Sequence, residues 1–213
     1  MSATAPTNKE MTLEDVVRRY GAIQLQNPLS KRDFVALAEH YPDWQLEREP
    51  NGTTTIMSPV KRGSGKREFH LAGLFYIWLQ QTGLGEFYSA STGFDLPNGA
   101  TKSPDIAWIS PERLAAAPPE DEDAAFVQIV PDFVVEIRSQ TDRLPKLQAK
   151  MTDSWMANGV RLAWLIDPFG EKVYIYRQGQ TEPEIVEGFS GKKLSGENVL
   201  PGFEMEMESM RRK

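Results

Sequence analysis

Residues 131–142 read Pro-Asp-Phe-Val-Val-Glu-Ile-Arg-Ser-Gln-Thr-Asp (PDFVVEIRSQTD). Phe133 to Ile137 is a short β-prone run, bounded by Pro131 on one side and Ser139-Gln140 on the other. Apolar at nearly every position, it has the pattern of a strand covered on both faces. Glu136 breaks that pattern. Burying a lone carboxylate costs several kcal/mol, a large part of the stability of a small domain, unless a cation or hydrogen bonds hold it. Arg138 lies two residues on and so projects from the same strand face. Two readings are open at this point: a simple Glu136–Arg138 ion pair at a strand end, or a site in which the charges do chemistry.

The remaining composition narrows that chemistry. The chain has 213 residues, which suits one domain with a full-sized core. It has no cysteine, so disulfides and thiolate zinc sites are excluded. Its two histidines, His40 and His70, leave little for an imidazole site. A metal would be held mainly by oxygen, which favours magnesium, manganese or calcium. No apolar run is long enough to span a bilayer, and the first residues (MSATAPTNKE) lack a hydrophobic signal segment, so the cytoplasm is the expected location. A net charge of −6 argues against a protein that coats nucleic acid, but a cluster of metal-binding carboxylates is itself acidic. The basic stretch Lys61-Arg62-Gly63-Ser64-Gly65-Lys66-Arg67 either meets phosphates or forms a solvated loop before a helix.

Taken in order, residues 1–27 read as a loose arm carrying a short helix over Thr12–Tyr20, with Thr12 as cap and Asp15 in the capping-box position. Ser30 caps a second helix that ends at Pro42-Asp43. Pro50-Asn51-Gly52 lies between two β-prone runs and predicts a hairpin. Glu68–Thr82 predicts a helix with Leu71, Leu74, Phe75, Trp78 and Leu79 on one stripe. Strands are expected over Glu86–Ala90, Gly93–Leu96 and Ser103–Ile109, then a short helix opened by Ser110-Pro111 and an acidic surface loop at 117–125. After the 133–137 strand come a long helix over Asp142–Asn158 and an apolar strand over Val160–Asp167. A meander follows over 172–177 and 184–187, with an extended tail through Pro201-Gly202. The strand–helix–strand unit from 132 to 167 implies parallel pairing and a right-handed crossover. The expectation is an α/β (α+β) fold: a central mixed sheet flanked by helices, an N-terminal hairpin and a C-terminal meander. One domain is expected over 28–207, with residues 208–213 as a tail. Trp78, Trp108, Trp155 and Trp164 fall on apolar stripes and read as core.

Asp105 follows Pro104 at the head of the expected 103–109 strand, beside the strand that carries Glu136. Two carboxylates on adjacent strands can hold a divalent cation that polarises a phosphoryl oxygen and acidifies water, while a nearby cation stabilises developing charge. Pro104-Asp105 with Glu136-Ile137-Arg138 matches the signature of the PD-(D/E)XK nuclease superfamily. The dipeptide alone is not specific, since Pro-Asp also stands at 42–43 and 131–132. The wider chain is more telling. STGFDLPNGATKSPDIAWIS, FVVEIRSQTDRLPKLQAKM, NGVRLAWLIDP, VYIYRQGQ and LSGENVLPGFEM, in that order, resemble the Uma-two family of restriction-endonuclease-like proteins from residue 44 or so to about 207.

That resemblance implies a restriction-endonuclease-like core, Mg²⁺ or Mn²⁺ held by Asp105 and Glu136, a DNA substrate, and a homodimer able to cut both strands. Where the motif has lysine this chain has Arg138, whose guanidinium cannot act as a general base. Lys150, in LQAKM, matches a lysine the family usually carries and is the candidate stand-in. The other reading makes Lys146 and Lys150 a solvent-facing pair one turn apart. Glu68 is a candidate third ligand from the preceding helix. Glu47 matches a frequent family acid, or else pairs with Arg48 or a neighbour. Asp167 before Pro168 reads as a strand-end cap. Two functions fit these residues: a metal-dependent endonuclease using Asp105, Glu136, Arg138 and Lys150, or a nuclease-fold binding or assembly module without hydrolysis.

Overall fold

Two sheets meet at the carboxylate-bearing strands in the computed structural model of the chain, which describes residues 12–119 and 124–212. The acidic run Glu120–Asp123 and the first residues of the expected N-terminal arm lie outside the described residues. Helix α1 (Leu13–Tyr20) opens on a full Thr12–Asp15 capping box. Its Val17 is buried with Phe34, Leu46 and Ile56. Strand β1 (Ile23–Gln24) leads to α2 (Lys31–His40), where the Ser30 hydroxyl accepts from Asp33 N at 3.1 Å. Strands β2 (Leu46–Arg48) and β3 (Thr54–Ile56) form the predicted hairpin, with Glu47 opposite Thr55. Gly52 takes φ +88° in its turn, and a Cβ there would stand 2.6 Å from Leu29 O.

Helix α3 spans Arg62–Thr82, so the basic stretch forms its first turns and is not a loop before it. Two glycines argue locally against helix. Tertiary contacts outweigh them: Ser64 is buried, and Arg67 Nε donates to Met210 O at 3.0 Å. Next come β4 (Glu86–Ser89), β5 (Phe94–Asp95), β6 (Thr101–Lys102), β7 (Ile106–Ile109), α4 (Pro111–Ala116) and β8 (Phe133–Ile137). Helix α5 (Leu144–Ala149) runs on into a π turn over Lys150–Trp155 and a 3-10 turn over Met156–Asn158, ending at Gly159 with φ +97°. Strands β9 (Leu162–Asp167), β10 (Lys172–Arg177), β11 (Glu184–Glu187), β12 (Lys193–Ser195) and β13 (Glu204–Glu206) complete the chain, with a final 3-10 turn at Met207–Met210.

The central sheet runs β11-β10-β9-β8-β7-β4. Only β8 and β9 pair in parallel, across the α5 crossover; the rest is antiparallel. A second sheet runs β1-β3-β2-β6-β5. The expected 93–96 strand therefore joins the hairpin and not the central sheet, and the expected 103–109 strand starts only at Ile106. Ser103-Pro104 carries the chain from one sheet to the other. The mixed sheet flanked by helices, the hairpin and the meander agree with the expected fold class.

Strand alternation divides the core. Ile106, Trp108, Phe133, Val135 and Ile137 face α3 and the C-terminal segment, where Phe203, Met207 and Met210 are buried. Ala107, Ile109 and Val134 face the other way, toward Met151 and Trp155 of the 144–158 helix and Phe94 of the second sheet. The four tryptophans read as core are indeed buried. Among the described residues no helix is long and apolar enough to cross a membrane.

Candidate active site

Strands β7 and β8 pair with Ile106 opposite Val135, which brings Asp105 and Glu136 side by side at one end of the central sheet. Asp105 Oδ2 accepts a hydrogen bond from Ile137 N. Glu136 is 5% exposed, and its Oε1 receives two donors: Lys150 Nζ at 2.7 Å and Trp155 Nε1 at 2.9 Å. In a regular α-helix, side chains five residues apart diverge by roughly 140°. The wider π turn reduces that divergence, and Lys150 and Trp155 reach the same oxygen; such turns recur at functional sites.

Lys150 also meets Glu47 Oε1 at 2.8 Å and Ser103 O at 2.9 Å. An ammonium has three N–H donors, and all three are engaged. Glu47 in turn takes Lys102 Nζ at 3.4 Å, and Lys102 meets Glu49 at 2.5 Å. The result is an alternating line, Glu136–Lys150–Glu47–Lys102–Glu49, that stitches the second sheet to the central one. Burial pushes the Glu47 carboxyl up, but Lys150 and Lys102 together overcome this and hold it below the usual range. Burial would lower the Lys150 ammonium, yet Glu136 and Glu47 raise it far above its ordinary value, so it stays charged. Glu136 comes out the other way: burial raises its carboxyl, Glu47 adds to that, and Lys150 only partly offsets it. Asp105 stands well above the carboxylate range because of desolvation and its acidic neighbours Glu136 and Glu68. Glu68 is itself raised by burial.

Asp105 Oδ1 and Glu136 Oε2 meet no donor among the described residues. The one side-chain polar atom there that is both sealed from solvent and unpartnered is Trp164 Nε1, so neither carboxylate oxygen is completely sealed.

The family model of Uma2, described as "Putative restriction endonuclease", matches residues 32–208. The chain belongs to the Uma2 family. A crystal structure described as "a putative nuclease belonging to DUF820", from Anabaena variabilis ATCC 29413, superposes with a TM-score of 0.64 at 16% identity. The match covers 78% of this chain and 88% of that one, a likeness of fold. No curated protein matches.

Within this Uma2 chain the remaining candidates separate. Glu136 pairs with Lys150 and not with Arg138. Arg138 instead donates to Asp167 Oδ2 at 2.9 Å and lies over the Phe169 ring at 5.6 Å. Asp167 does cap the strand end, accepting from Phe169 N and Gly170 N at 2.9 and 3.1 Å. Lys146 stays exposed, so the expected solvent-facing lysine pair is split. Glu68 feels Asp105 electrostatically, although no three or more Asp, Glu, His or Cys side chains converge as a metal cluster among the described residues. Sequence reasoning missed Lys102 and the polar role of Trp155. A lysine beside Thr101 in an otherwise buried segment was the available signal for Lys102; for Trp155 there was none, because an α-helical reading points it away from Lys150.

Proposed function

We propose that this Uma2 chain is a divalent-metal-dependent endonuclease that hydrolyses phosphodiester bonds in DNA. The observation that carries the reading is the pair of carboxylate oxygens without a donor among the described residues, Asp105 Oδ1 and Glu136 Oε2, on adjacent strand ends in a site that disfavours two bare carboxylates. An all-oxygen donor set of like-charged groups suits Mg²⁺ or Mn²⁺, with Asp105 and Glu136 as ligands and Glu68 as a third acid from α3. When bound, the ion supplies positive charge for a phosphoryl oxygen and a more acidic water.

The protein's own groups set the stage for that chemistry. Trp155 and Lys150 hold Glu136 by one oxygen and leave the other without a donor among the described residues. Lys150 keeps its proton and has no donor to spare, so it acts as a positioning residue and not as a general base. Arg138 contributes charge from the end of β8, the strand that carries Glu136, while tied to Asp167 at the end of β9. Cutting both strands of a duplex from one site per chain calls for two copies, so the reading includes a homodimer, checked by the mass in solution. It also places the chain in the cytoplasm, with its DNA.

The second reading, a nuclease-fold module without hydrolysis, draws on the absence of a three-acid cluster among the described residues. Cleavage of supercoiled plasmid with Mn²⁺ or Mg²⁺ decides between them. The expected result is nicking by the wild type and none by Glu136→Gln; equal cleavage by both overturns the assignment. A parallel check is the melting temperature, which millimolar Mn²⁺ should raise in the wild type but not in Asp105→Ala.

A further inference from the structure

The basic stretch singled out in the sequence is not absorbed by the site, yet it lies beside it. Glu68, in the second turn of α3, feels Asp105, and the residue before it is Arg67. Arg67 is tied to two carbonyls, Met210 O at 3.0 Å and Gly63 O at 2.9 Å, with no carboxylate in ion-pair reach among the described residues. The bond to Met210 O sets Arg67 against the C-terminal segment two residues before Arg212. Arg212 lies over the Phe169 ring at 4.5 Å, and Arg138 lies near the same ring at 5.6 Å. Phe169 thus lies between the Arg138 guanidinium, held by Asp167 at the end of β9, and the Arg212 guanidinium of the C-terminal segment. Arg62 and Lys66, both exposed, extend the line along the first turns of the helix.

Part of this arc is neutralised: Arg138 by Asp167, and the nearby Arg211 by Glu171 and Glu208. Among the described residues, no ion pair engages Arg67, Arg212, Lys66 or Arg62. Two neighbouring guanidiniums repel each other, and a polyanion laid across them relieves that repulsion.

We propose that Arg62, Lys66, Arg67 and Arg212 form a track for the phosphodiester backbone of the substrate strand, leading it past Phe169 to Asp105 and Glu136. The track rests on the nuclease reading for its substrate, but its evidence is separate from the carboxylates. It carries phosphate contacts and no base-reading group, so binding along it is strongly salt-dependent and weakly sequence-dependent.

The test measures fluorescence anisotropy of a short labelled DNA duplex, in Mg²⁺, with the full chain carrying Glu136→Gln so that no cleavage intervenes. Adding Arg62→Ala, Lys66→Ala and Arg212→Ala together is expected to weaken binding by tenfold or more and to flatten the log–log salt slope by about 2–3. Arg161→Gln, at the opposite end of β9, serves as the control and is expected to leave both unchanged. An unaltered slope in the triple variant, an equal loss in the control, or no DNA binding at all by the parent overturns the track. The nuclease reading fails separately: track-dependent binding without any Glu136-dependent cleavage in the wild type would remove the enzyme and leave the track. Cleavage that survives the triple variant with unchanged salt dependence would do the reverse.

Discussion

Pro104-Asp105 and Pro131-Asp132 are the same dipeptide at the heads of two antiparallel neighbours, and so they stand at opposite ends of the central sheet. Asp132, 1% exposed, is answered on both oxygens: Ser110 N reaches Oδ2 at 2.8 Å, and Arg113 Nε and Arg161 meet Oδ1 at 3.0 and 3.4 Å. Asp105 has one backbone amide, two acidic neighbours and an oxygen without a donor among the described residues. One aspartate is compensated and holds loops together. The other is held in surroundings that disfavour its charge. The dipeptide does not distinguish them; the partners do.

The largest effect that would break this contrast is catalytic. Asp105→Asn and Glu136→Gln are expected to lower the plasmid nicking rate by about 10²–10³-fold or more. Asp132→Asn should leave the rate per folded molecule unchanged, and a comparable loss there would end the distinction. Stability should move the other way. Asp132→Asn leaves two part-exposed arginines short of a partner, and urea unfolding should show a loss of ~1–3 kcal/mol.

Lys150→Met tests the network between the sheets. It strands Glu136 and Glu47 without their shared cation, and a loss of about 3–5 kcal/mol is expected in the same assay. No loss of stability would mean that the alternating line does not hold the sheets together.

Two pH series sharpen the comparison with opposite signs. The folded Asp105 carboxyl stands above its ordinary value of 3.8, so the wild type loses stability as pH rises from there through the raised value. Metal-free Asp105→Asn should therefore melt a few degrees higher than wild type at pH 7–8, with the gap closing as pH falls toward that ordinary value. Glu47 is held below its ordinary 4.5, so its contribution is present above that pH and lost as pH falls through the folded value. Glu47→Gln should melt lower than wild type at neutral pH, with the gap closing in acid. The same sign for both variants would refute the opposed environments.

The smallest effect separates two buried indoles. Trp155→Phe removes a donor to a carboxylate and should cost ~1.5–3 kcal/mol, with slower nicking. Trp164→Phe removes an N–H that has no partner and should stay within about 1.5 kcal/mol by thermal unfolding.

What the sequence by itself determined follows from short-range physics. The alternation and apolarity of 133–137, 162–167 and 172–177, the Thr12, Ser30 and Ser110 caps, and the Asn51-Gly52 turn are local signals, and the corresponding elements stand where they were expected. The neighbourhood of Asp105 and Glu136 was legible because each stands on an apolar strand pattern, and the antiparallel pairing seen in the structure sets them at one sheet end. Only the tertiary structure decided the rest. Strands β5 and β6 have two residues each, too few for a period to show, so their sheet is set by the partners they reach. The start of α3 defied its own glycines because Arg67 found a carbonyl 143 residues away. Lys150 and Glu47, 103 residues apart, meet because two sheets close on a desolvated space where each charge is tolerable only beside the other. That pairing took Lys150 out of solvent, gave Glu136 a partner other than Arg138, and left Arg138 to Asp167. No local pattern encodes such an exchange, because its energy comes from burial, which exists only once the chain has folded.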